Sequence, residues 1–143
     1  MSNPQKESRS IHDNNIYGYA VLCEQRRIIL HTEFNNGTTD EFTDVTFCGL
    51  IAHFFQNVLA GNILFEVVEI DAQNIVRQWS DLFERGKDYG WPGQIEYKDS
   101  GDLLAVLRKR SVKGFEIIST YGLSGWVLPE KMDVCDRSAK ATH

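Results

Sequence analysis

The sequence is poor in everything that would announce a catalyst, a metal site or a disulfide scaffold. Its three cysteines, Cys23, Cys48 and Cys135, lie far apart in 143 residues. An odd, widely spaced set is not a disulfide framework. No apolar run approaches the roughly 18 residues of a membrane-spanning helix. The polar first fifteen residues lack the apolar segment of a secretory signal. Together these absences lead to the expectation of a cytoplasmic protein that does not enter the membrane. Fifteen Lys and Arg stand against twenty Asp and Glu, a formal charge of −5. That balance argues against a nucleic-acid binder, because phosphate recognition usually requires a basic surplus.

Catalytic motifs are missing as well. His12, His31, His53 and His143 have no H-x-x-x-H spacing and stand beside no C-x-x-C pair, so neither a metal nor any other cofactor is expected. Both glycine-rich phosphate fingerprints are absent. Residues 122–125, Gly-Leu-Ser-Gly, lack the G-x-S-x-G spacing of a nucleophile elbow. Glu66 and Glu69 differ in strand parity and should point apart, which weakens the acid–base reading of that pair. An enzyme is therefore the less favoured expectation.

What the chain does have is a strongly patterned centre. A mass of 16.3 kDa permits one core that buries about 68% of the unfolded surface. Residues 16–23 and 27–34 are rich in β-formers and read as a hairpin, and Asn36-Gly37 turns the chain again. Residues 42–55 read as one long strand, half-exposed at first and then apolar on both faces, with Gly49 marking a bulge at the change. Residues 63–70 supply a fourth strand. The period then changes: Ile75, Val76, Trp79, Leu82 and Phe83 form a helical stripe, with Asp71 as cap and Gly86 as stop. A second helix is expected from Ser100 as cap to Gly114 as stop, and a closing hairpin over residues 115–121 and 125–129. The fold expected is α+β, a mainly antiparallel twisted sheet of about six strands with two helices on one face. One domain spans residues 16–132, between flexible tails 1–15 and 133–143.

The charge layout points to function. Between Arg27 and Arg77 there is no Lys or Arg, while Glu33, Asp40, Glu41, Asp44, Glu66, Glu69 and Asp71 fall within that stretch. A shared anionic face would steer a basic protein partner toward it. We expect Glu33, Asp40, Glu41, Asp44, Glu66 and Glu69 to serve such a face, with Trp91 on its Gly-Trp-Pro-Gly loop as an aromatic anchor. In size, charge and lack of catalytic motifs the chain is similar to small bacterial immunity proteins, acidic inhibitors of cationic toxins; the likeness is one of class and rests on no shared motif. Two alternatives remain at this point. A pocket between sheet and helices, lined by Tyr17, Tyr19, His53 and Trp91, would suit a small ligand. The basic segment 108–113 would suit nucleic acid. An exposed strand edge would also permit a homodimer.

Overall fold

The computed structural model describes residue 11, residues 13–89 and residues 97–141. Within them the chain forms β1 (Asn15–Leu22), β2 (Arg27–Asn35), β3 (Asp40–Cys48), β4 (Ala52–Gln56), β5 (Asn62–Ile70), α1 (Ala72–Gln78), α2 (Ser80–Gly86), a short 3-10 turn (Lys87–Tyr89), α3 (Ser100–Lys109), β6 (Gly114–Tyr121), β7 (Ser124–Leu128) and β8 (Lys131–Arg137). All strand pairs are antiparallel, in the order β4-β7-β6-β5-β1-β2-β3-β8. Among the described residues the sheet is thus mainly antiparallel, with eight strands rather than about six, and three short helices stand where two were expected.

Strand number differs because two long strands are each bent once. The run expected as one strand over residues 42–55 divides at Gly49, whose φ of 65° lies in the left-handed region. A Cβ there would collide with the Glu130 side chain, so glycine is required on both counts. Across the bend Glu130 N–H donates to the carbonyls of Cys48 (2.9 Å) and Gly49 (3.2 Å), and Ile51 N–H donates to Leu128 O (2.8 Å). The β3–β8 and β4–β7 ladders are therefore one ladder, in which residues 49–51 oppose residues 129–130. That is a bulge, and it kinks the ribbon. Because β3 continues into β4 and β7 into β8, the two ends of the sheet order are joined and the sheet curls into a barrel. Its thinnest seam is β1–β5, paired only at Asn15↔Ile63 and Ile16↔Asn62.

Strand alternation builds two cores on this wall. Inward residues Ile16, Ile28, Leu30, Val45, Phe47, Leu64, Phe115, Ile117 and Val127 fill the barrel. Outward residues Ala52, Trp126 and Leu128 pack with Ile75, Val76, Phe83, Leu103 and Leu107 of the helices. Both faces of β4 and β7 are therefore covered, which explains why this part of the sequence is apolar without alternation.

The helices refine three expectations. Asp71 does cap α1, accepting from Gln73 N–H at 3.0 Å, and the segment does end at Gly86. The single stripe is broken, however, at Trp79 (φ −109°, ψ 29°), whose ring is wedged against Phe54 and Trp126 at 5.1 and 6.1 Å. The cap of α3 is Asp99 rather than Ser100: its carboxylate accepts from Asp102 N–H at 2.9 Å. That helix ends at Lys109, with Ser111 at φ 57°. Gly114 instead opens β6, where a Cβ would come within 2.8 Å of Ile70 O.

The expected C-terminal tail also needs correction. Residues 133–137 belong to β8, paired along β3 from Phe42↔Arg137 to Cys48↔Lys131. Met132 and Val134 pack against the barrel core. Two apolar side chains among charged ones suffice, because the neighbouring strand supplies the rest of the burial.

Candidate functional site

The β2–β3 hairpin is the most organised exposed feature. Its register runs from Arg27↔Cys48 to Asn35↔Asp40, so residues 36–39 form the tip. Asn35 Oδ1 accepts from Gly37 N–H at 2.8 Å, and Asn36 Oδ1 accepts from Thr38 N–H (2.9 Å) and Thr39 N–H (3.0 Å). These side chains replace backbone partners and stiffen the turn. Their amide nitrogens reach the flanking acids: Asn35 Nδ2 donates to Asp40 at 2.7 Å and Asn36 Nδ2 to Glu41 at 3.1 Å. Phe34, opposite Glu41 in register, is 38% exposed. The tip therefore presents one aromatic ring and two oriented carboxylates.

Behind the tip, the outer face of β1, β2 and β3 carries a denser cluster. Tyr17 occupies an irregularity of β1, where Ile16 pairs with Thr32 and Gly18 with His31. The extra residue turns Tyr17 outward, stacked on His31 at 5.9 Å and edge-on to Phe42 at 6.3 Å. His31 lies opposite Asp44 and its Nδ1 is 2.8 Å from Asp44 Oδ1; both residues are buried. Asp44 Oδ2 meets Arg137 at 3.2 Å. Glu33 Oε2 accepts from Asn15 at 3.1 Å and its Oε1 lies 3.6 Å from Lys140. Lys140 also sits 4.7 Å over the Tyr17 ring, and Ala141 N–H donates to the Tyr17 hydroxyl at 2.8 Å.

The predicted acids are thus divided. Glu33, Asp40 and Asp44 share the outer face of the β2–β3 hairpin, and Glu41 joins Phe34 at its tip. Glu66 and Glu69 lie on β5, separated from β2 by β1, and their partners Ile118 and Phe115 place them on opposite faces of the wall. Trp91 lies outside the described residues, as do His12 and His143.

The pocket expected from Tyr17, Tyr19 and His53 is split by the same β1 irregularity. Tyr19 faces inward and meets Phe55 edge-on at 5.4 Å, and His53 contacts Phe55 at 5.3 Å. Tyr17 faces the other way. Burial holds the His53 pKa below its usual value, so its ring is neutral at pH 7. Among the described residues no group of three or more metal-ligating side chains occurs. Cys23 lies in the exposed turn after β1 rather than inside a strand.

The basic segment is partly engaged as well. Arg110 reaches Glu130 at 3.4 Å, while Arg108 borders an open groove of about 250 Å³ between α1 and α3, with Asp71, Gln73 and Leu104. No helix among the described residues is long and apolar enough to cross a membrane.

The His31–Asp44 pair and the C-terminal clasp escape a reading by motif. The pair was nonetheless accessible: a turn centred on residues 36–39 sets His31 opposite Asp44 by counting back along both strands. Arg137 and Lys140 gave no such signal, because their positions depend on the non-local pairing of β8 with β3.

Comparison with protein-family models, with curated proteins and with solved structures yields no match to this chain.

Proposed function

We propose that the protein is a binding protein of the inhibitor or immunity type, which docks a cationic protein surface through its β2–β3 tip. The observation that supports this most is the tip itself: exposed Phe34 pairs with Glu41 on one face, Asp40 projects from the other, and Asn35 and Asn36 orient the two carboxylates. An aromatic anchor inside a charged rim is the usual economy of a protein interface. Prior ordering of the turn lowers the entropy lost on association. The net charge of −5 adds long-range attraction toward a basic partner.

The test is capture from an extract of the source cells by the wild type and by a Phe34→Ala/Asp40→Lys/Glu41→Lys variant, at low and high salt. A basic protein retained by the wild type at low salt, released by salt and missed by the variant supports this reading. Equal capture by both proteins, or only acidic proteins in the eluate, overturns it. Folding of the variant is checked by circular dichroism.

A further inference from the structure

We propose that the outer face of β1–β2–β3 is a receptor for an extended segment carrying an Arg and, three residues on, a Lys, and that residues 137–141 fill it in cis. This inference rests on the proposed function in one respect, that the natural competitor is a basic protein.

Both receptor carboxylates are set by the barrel wall. Asp44 gives one oxygen to His31 and the other to Arg137. Glu33 gives one oxygen to Asn15 and the other to Lys140. In each case a residue of β1 or β2 fixes the carboxylate, and the second oxygen faces the tail. Tyr17 is likewise positioned by His31 and Phe42 before the tail uses it. Its ring takes the Lys140 ammonium and its hydroxyl takes a backbone N–H. The receptor groups therefore come from three strands, whereas the ligand groups come from five consecutive residues.

Burial is unequal in the direction that exchange requires. The Asp44 and Glu33 side chains are 12% and 28% exposed, while Arg137 and Lys140 are 40% and 54% exposed. The anions belong to the wall, and the cations lie over them in solvent. Ion pairs whose cation stays in solvent contribute little each, and an exposed cation over the half-buried Tyr17 ring adds little more. Arg137 is also the last paired residue of β8, so replacement by a competing segment frays one pair at the strand end and leaves the rest of the barrel folded. The receptor adjoins the tip directly, because Glu33 pairs with Phe42 and, next on the same face, Asn35 pairs with Asp40. A partner on the tip is therefore within reach of the clasped face.

The probe is a fluorescent peptide with the sequence of residues 137–143. It is titrated against the intact chain, a chain ending at Asp136, and a full-length Arg137→Gln/Lys140→Glu variant that keeps every β8 residue but one. Circular dichroism establishes folding, and the point variant carries the test if the shortened chain does not fold. The expected result is saturable, salt-sensitive binding to an opened chain, at least tenfold weaker binding to the intact chain, and loss on adding Glu33→Gln to the opened chain. Equal binding by intact and opened chains, or none by either, overturns the receptor. A failed capture by the tip with a positive peptide titration would reject the proposed function and leave the receptor standing; the reverse pattern would reject the receptor alone.

Discussion

The outer wall of the barrel is covered twice, by different physics. Over β4 and β7 the cover is apolar: Trp126, 2% exposed, lies among Phe54, Trp79 and Phe83 with ring centroids 5.6–6.3 Å away. Over β1, β2 and β3 the cover is a C-terminal segment held by the last β8 pair at Arg137, two ion pairs, a cation over a ring and one backbone N–H donated to the Tyr17 hydroxyl. The first removes large hydrophobic area from water and is tied to folding. The second trades hydration for charge pairing at the surface and returns little net stability. A cover of the first kind is part of the core; a cover of the second kind can come and go.

Breaking the apolar cover should give the largest effect. Trp126→Ala is expected to cost about 3–5 kcal/mol, as removal of a buried aromatic side chain does, read as a drop in the urea midpoint. Trp126→Phe should cost much less. The indole Nε1 is buried without a hydrogen-bond partner, so phenylalanine loses ring volume and no polar contact. Equal losses in the two variants would refute this account of the cover. Gly125→Ala follows, at about 1–3 kcal/mol by the cost of steric overlap in a packed site. Its φ of 151° and the Phe54 carbonyl against it leave no room for a Cβ. Such a loss with no change in the tip would place the site of damage at the β4–β7 ladder.

These two covers were unequally legible. Ile75, Val76, Leu82 and Phe83 repeat at helical spacing, and the β1–β2 and β2–β3 hairpins carry their own turns, so local order was readable. Gly49 stood out as a change of pattern, but not as the hinge that sends β4 to pair with β7. That pairing spans 68 to 76 residues, and nothing local encodes it. Tyr17 shows the same limit in small: strict alternation puts it beside Tyr19, and one irregular residue in β1 reverses it. Of the predicted acids, Glu33 and Asp44 lie on neighbouring strands as expected, whereas Asp40 and Glu41 belong to β3 two residues ahead of its expected start. Pairing of Glu33 and Asp44 with Arg137 and Lys140 was hidden, because β8 looked like a polar tail.

Sharpening the comparison means weakening the polar cover. Asp44→Asn is expected to cost about 1–3 kcal/mol, since it leaves a buried His31 and Arg137 without their carboxylate. Lys140→Ala should cost less than about 1 kcal/mol, because its pairs are exposed. The two variants therefore bracket the face, and denaturant melts in low and 0.5 M salt separate them: salt should erase most of the Lys140 effect and little of the Asp44 effect. A salt-insensitive loss of several kcal/mol for Lys140→Ala would make the tail part of the core and remove the distinction between the two covers.

The smallest effect concerns β4, the strand that carries the apolar cover on one side and faces the barrel on the other. His53 pairs with Val127 on the inner side, beside Phe55, and burial depresses its pKa. The unfolded chain then binds a proton that the folded chain refuses. Stability should fall as pH drops through the ordinary histidine range near 6.5 and should level off below the depressed folded value. Replacing the imidazole by an uncharged amide of similar reach, His53→Gln, should leave a shallower stability slope between about pH 7.5 and 5.5, measured by urea melts. An unchanged slope would mean that His53 is hydrated in the folded chain, and the inner face of β4 would then be open to water where its outer face is not.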